Sequence, residues 1–98
     1  MPRIFIPINT SYVPVNITGS PTLFRYANFY AYKGFTVSGL PINNTNPIYI
    51  GLNSGEAAIQ VSTGQYTTRI IQTQNERDNL QAYWVQGLSG DGLYAIYN

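Results

Sequence analysis

The stretch Asn46-Pro47-Ile48-Tyr49-Ile50-Gly51 decides the fold. A proline-led turn feeds a short run, and Gly51 ends it. Ile48 and Ile50 fall on one parity and Tyr49 on the other, the period-two pattern of a strand with one buried face. Its place near mid-chain marks it as a core strand. On both sides the same cadence recurs: turn, alternating run, turn.

Downstream, Asn53-Ser54-Gly55 reads as a turn, and Ala57, Ile59 and Val61 alternate with Ala58 and Gln60. Ser62-Thr63-Gly64 turns again, and residues 66–71 return as a strand. Residues 72–79 carry the charge cluster Glu76, Arg77 and Asp78, predicted as a loop or one short helical turn. Residues 80–86, with Trp84 and Val85, read as β. Residues 87–92 form a glycine-rich loop in which Asp91-Gly92 is a hairpin signal, and residues 93–97 are the last strand.

Upstream, residues 23–38 are the longest β-like run. Phe29, Ala31, Phe35 and Val37 take the core parity; Tyr30, Tyr32, Thr36 and Ser38 take the outward one. Lys33-Gly34 predicts a bulge or bend. Gly39-Leu40-Pro41 closes the run, and residues 43–47 are a turn cluster. Short strands with a turn every 8–12 residues, and no helical stripe, predict an all-β chain. The expected form is a small antiparallel β-sandwich of jelly-roll or immunoglobulin-like type.

Residues 1–21 differ from the rest. Pro2, Pro7, Pro14 and Pro21 separate the apolar pieces Ile4-Phe5-Ile6 and Val13, Val15, Ile17. Proline removes a ladder donor, so these pieces are confined to edge strands or an extended arm. The domain proper is expected over 22–98, complete without the arm. Apolar side chains on a free arm need cover, from the chain's own sheet or from a neighbouring subunit. Ile4, Phe5, Ile6, Tyr12, Val13 and Val15, with Tyr30 and Tyr32, are therefore the candidate interface residues.

Composition narrows the function. At 98 residues the chain is one domain, able to bury roughly 65% of its unfolded surface. Hydrophobic residues are 44% and charged residues 9%, so the surface is built from Thr, Ser, Asn, Gln and Tyr. Such a surface loses little on desolvation, which suits a protein docked against others. The net charge of +1 comes from scattered residues with no basic cluster. That argues against nucleic acid as a partner. The start of the chain lacks a signal peptide's apolar core, and no stretch is expected to span a bilayer.

The chain has no His and no Cys. A Ser-His-Asp triad is therefore excluded, as are thiolate zinc sites and disulfides. Glu76 and Asp78 are the nearest thing to a carboxylate pair. In a polar loop around Arg77 they read as solvated, since such pairs need enclosure to separate their pKa values. Asp91 reads as a turn residue, because one carboxylate is a poor site for a cation wanting six to eight oxygens. The Asn-x-Thr/Ser triplets at 9–11, 16–18 and 43–45 read as turn chemistry. No metal, cofactor or catalytic residue is expected. The nine tyrosines are the real surplus; with an apolar ring and a polar tip, tyrosine suits both core and interface.

Two stretches carry a resemblance. One is Lys33-Gly34-Phe35-Thr36-Val37-Ser38-Gly39, leading through Asn44-Thr45-Asn46-Pro47-Ile48-Tyr49-Ile50-Gly51. The other is Asn79-Leu80-Gln81-Ala82-Tyr83-Trp84-Val85-Gln86-Gly87, followed by Gly90-Asp91-Gly92-Leu93-Tyr94-Ala95-Ile96-Tyr97. Over about residues 28–98 the chain resembles small β-sandwich virion proteins of tailed bacteriophages. The proline-rich arm is unmatched. The resemblance implies a structural role as a capsid decoration or cement protein on the head, assembled in the host cytoplasm. The implied partners are the major capsid protein or another virion protein, and further copies of itself as a trimer or dimer. Alternatives are a tail or fibre adaptor of the virion, or a carbohydrate-binding module.

Overall fold

The computed structural model describes residues 2–31, 33, 35–37, 40–42, 44–52, 59–71 and 76–98. Among these residues the chain is all-β with antiparallel pairing, one short 3-10 turn and no α-helix. The strands are β1 (Arg3–Pro7), β2 (Val15–Asn16), β3 (Leu23–Phe24), β4 (Tyr26–Tyr30), β5 (Phe35–Val37) and β6 (Leu40–Ile42). They continue with β7 (Ile48–Leu52), β8 (Ile59–Val61), β9 (Tyr66–Ile70), β10 (Asp78–Asn79), β11 (Tyr83–Gln86) and β12 (Gly92–Tyr97).

Two four-stranded sheets dominate, one ordered β1-β12-β4-β9 and the other β2-β11-β7-β8. Short pairs β10-β3 and β5-β6 complete the pattern. Both large sheets feed one buried cluster. Ala27, Phe29, Leu93 and Ala95 come from the first; Ile48, Ile50 and Val85 come from the second. Tyr83 links them: its ring stacks on Phe29 at 5.6 Å and meets Phe24 edge-on at 5.7 Å. Such aromatic contacts add to the burial energy.

The deciding stretch lies where its alternation puts it. β7 runs between β11 and β8, with Ile48 and Ile50 fully buried and Tyr49 half-buried. Ala27, Phe29 and Ala31 keep the core parity. The side chains of Phe35, Thr36 and Val37, and all of Tyr32 and Ser38, lie outside the described residues, as do residues 53–58 and 72–75.

Several expectations are corrected. For residues 1–21 the edge-strand alternative holds, while the expectation that the domain is complete without them does not. β1 pairs with β12 over its whole length, Arg3 with Ile96 through Pro7 with Gly92. Val15 and Asn16 pair with β11, and Ile8 and Ile17 are buried at 2% and 1% exposure. The stretch is woven into both sheets as edge strands, so the core is not complete without it. Ile4 and Ile6 find cover against the chain's own core. Proline still dictates the place, since both strands are edges.

Leu40-Pro41 does not close a run but forms β6 with Ile42. Ile59 sits 43% exposed while Val61 is buried, so the alternation holds only at one end of β8. Leu80–Ala82 is the 3-10 turn and not strand. Asn79 causes it: its Oδ1 accepts from Gln81 N at 3.0 Å and from Thr22 N at 2.9 Å. Asparagine at such a cap offers the backbone an alternative to the ladder.

Asp91-Gly92 is no hairpin, because β11 and β12 belong to different sheets. The left-handed residue is Gly90, at φ 101°. Gly92 is needed for space: a Cβ there would meet the Phe5 ring at 3.0 Å and the Ile6 carbonyl oxygen at 3.2 Å. Nor is residue 44 an exposed turn position. Asn44 is fully buried; its Nδ2 donates to Gly92 O at 2.9 Å, and its Oδ1 accepts from Gly92 N at 2.6 Å. The side chain thus stands in for a neighbouring strand at the start of β12.

Candidate docking face

Strand alternation gives the sheet β1-β12-β4-β9 an inner face, made by Phe29 and Leu93 among others, and an outer one. Register then lines up Phe5, Tyr94, Tyr30 and Tyr66 as one aromatic row across all four strands. The Tyr30 ring lies 6.2 Å from Tyr94 and 5.4 Å from Tyr66, tilted in both cases. Aromatic cross-strand pairs of this kind stabilise the sheet as well as covering it. Exposure rises along the row, from Tyr94 at 4% through half-buried Tyr30 to Tyr66 at 60%.

The next row is polar but for one residue: Arg3, Ile96, Asn28 and Thr68 stand side by side. Thr68 Oγ1 donates to Asn28 Oδ1 at 2.6 Å, and Asn28 Nδ2 donates to the hydroxyls of Tyr26 and Tyr30. Arg3 Nη1 donates to the Tyr94 hydroxyl at 3.2 Å. One side-chain amide therefore fixes two phenols with both its donors. A network satisfied in this way is rigid, and its rings lose little further freedom on docking. Beyond Tyr26 the face ends in an open groove lined by Arg25, Tyr26, Ile70, Ile71, Arg77 and Asn98.

The expected interface residues fall into separate groups. Phe5 and Tyr30 share the aromatic row. Ile4, Ile6 and Val15 pack against the core instead. Tyr12 and Val13, 44% and 53% exposed, lie by the other sheet, where the Tyr12 ring is 6.2 Å from Tyr49. Tyr12 is also the one described non-glycine residue with positive φ, at 55°. Tyr32 lies outside the described residues. Sequence reading missed Tyr66, Tyr94 and Tyr26. Parity alone places Tyr94 opposite buried Leu93 and Ala95, but only register brings it beside Tyr30.

Two of the described carboxylates, Asp78 and Asp91, make structural contacts. Asp78 accepts from the Tyr83 hydroxyl and lies 3.5 Å from Arg69 Nε, while Glu76 is exposed. Asp91 Oδ1 accepts from Thr45 N at 3.0 Å. Among the described residues no group of three or more His, Cys, Asp or Glu side chains gathers to hold a metal ion. Among them, too, no helix is long and apolar enough to cross a membrane.

The Tyr83 phenol is pushed up to about 12, by burial first and then by its hydrogen bond to Asp78 and that carboxylate's charge. In the unfolded chain a tyrosine ionises near ~10. The folded value is the higher one, so this stabilisation is full below pH ~10 and is lost as pH rises through the folded value. The wild-type melting temperature is expected to fall across that window, and that of Tyr83→Phe to fall less steeply. Parallel slopes in the two proteins would contradict this assignment.

No protein-family model matches the chain, and neither a curated protein nor a solved structure is similar to it.

Proposed function

We propose that this chain is a structural, non-catalytic docking protein. In this reading its two large sheets lie face to face as a small sandwich of jelly-roll or immunoglobulin-like kind. The outer face of β1-β12-β4-β9 is the surface that engages a partner. The aromatic row from Phe5 to Tyr66 carries the proposal. It offers apolar rings and hydroxyl tips on a chain with 9% charged residues, the composition of an interface centre. The resemblance to small virion proteins of tailed phages supplies the partner: the major capsid protein of an assembled head. Decoration of this kind is mechanical. Buried area added between shell subunits raises the free energy of opening the shell. Arg25 and Arg77, at the end of the face, suit acidic residues on the shell.

Co-sedimentation with empty heads of the encoding phage tests this. Ile96 lies half-buried in the middle of the face, two strands from β9. Ile96→Lys sets a charge there and is expected to weaken head binding at least about tenfold, or ~1.4 kcal/mol. Val13→Ser, beside the other sheet, is expected to bind as wild type does. Equal binding by all three proteins refutes the assignment of the face. Glycan binding by the isolated protein, with none to heads, favours the carbohydrate-binding alternative.

A further inference from the structure

The four edges of the two large sheets are not alike. Among the described residues β2 and β8 are two and three residues long, too short to template another strand. β1 is protected in another way. Ile8 N donates to Asp91 O and Tyr97 N to Pro2 O, so the even-numbered residues of β1 turn their backbone groups towards β12. Arg3, Phe5 and Pro7 face the open side, where proline has no donor and arginine adds charge.

β9 has no such device. Ala31 N donates to Gln65 O at 2.9 Å and Ile71 N to Arg25 O at 2.7 Å. By antiparallel alternation Thr67 and Arg69 also point their backbone groups at β4. Tyr66, Thr68 and Ile70 then present N–H and C=O to the open edge. All three are uncharged and exposed, and none is proline or glycine. Among the described residues nothing pairs with that edge.

We propose that β9 pairs antiparallel with β9 of a second copy, about a two-fold axis at Thr68, joining two four-stranded sheets into one. The sequence Tyr66-Thr67-Thr68-Arg69-Ile70 is complementary to itself in this register. Tyr66 meets the second copy's Ile70, an aromatic with a β-branched partner, and Thr68 meets Thr68; both pairings are favourable. Each of these pairs exchanges both N–H···O bonds, because the exposed backbone groups belong to these residues. Arg69 falls opposite Thr67, so no like charges oppose. A shift to an axis at Arg69 would set two guanidiniums against each other, which disfavours that register. The aromatic row of each copy then runs on into the second copy's Ile70 and Tyr26. A five-residue strand pair is a small contact, so the dimer is expected to form at roughly micromolar concentration.

Sedimentation equilibrium of the full chain tests this independently of any shell. Wild type is expected to dimerise. Thr68→Lys and Thr68→Glu, each placing like charges across the axis, are expected to dimerise at least tenfold more weakly, and an equimolar mixture of the two to recover association. Wild type remaining monomeric at millimolar concentration overturns the proposal. So do variants that dimerise as wild type does, or a mixture that fails to recover. Should a charged variant not fold, Thr68→Cys serves instead, since the chain has no other cysteine. Paired Cα atoms about 5.5 Å apart lie within disulfide reach. Oxidation is expected to give a covalent dimer with Thr68→Cys and none with Ser62→Cys; equal cross-linking of both overturns the register.

Discussion

Deleting Met1–Ser20 is expected to unfold the protein. The deletion strips β1 from β12 along its full length and β2 from β11. It removes the buried side chains of Ile8 and Ile17, each worth about 1.5–3 kcal/mol of apolar burial. Asn16 Nδ2 goes too, leaving the carbonyls of Gln81 and Tyr83 without that donor. Ladder bonds lost from β12 add about 1 kcal/mol each. Together these losses match the roughly 5–15 kcal/mol by which a domain is stable. Circular dichroism during a thermal melt is the check. A cooperative transition in the truncated protein would show that the domain folds without its first strands.

Asn44→Ala is expected to cost about 2–6 kcal/mol, from two buried backbone groups left unpaired at roughly 1–3 each. Gly92 N and Gly92 O both rely on the Asn44 amide, which is fully buried. Asn44→Asp separates the two bonds. Its carboxylate still accepts from Gly92 N but turns a second oxygen towards Gly92 O, so it is expected to be no more stable than the alanine variant. Urea denaturation measures both. A loss under ~1 kcal/mol for Asn44→Ala, the scale of an ordinary substitution, would mean that the amide is not holding the start of β12.

Strand existence and parity were legible from residue order alone. Ile48-Tyr49-Ile50 alternates, and burial follows the alternation because side chains on a strand alternate faces. Proline likewise marked β1 and β2 as edges. What residue order does not encode is partnership between strands distant in the chain. Phe5, Tyr94, Tyr30 and Tyr66 become neighbours only through three registers, so the proposed docking face was visible as scattered aromatics and not as a row. Asn44 was hidden for a related reason. An asparagine in a polar cluster suits a solvated turn, and only the placement of Gly92 beside it turns its amide into a buried strand partner. The destination of residues 1–21 stayed open because apolar pieces between prolines suit two places, another subunit or the chain's own sheet edges. The open positions beside β12 and β11 settle that choice, and they exist only in the folded chain.

A cryo-electron microscopy reconstruction of phage heads saturated with this protein tests the docking claim most directly. Ordered density for the chain is expected on the shell, with Phe5, Tyr30, Tyr66 and the centre of the face at Ile96 turned towards the capsid. Density with that face turned to solvent, or no density at saturating protein, would contradict it.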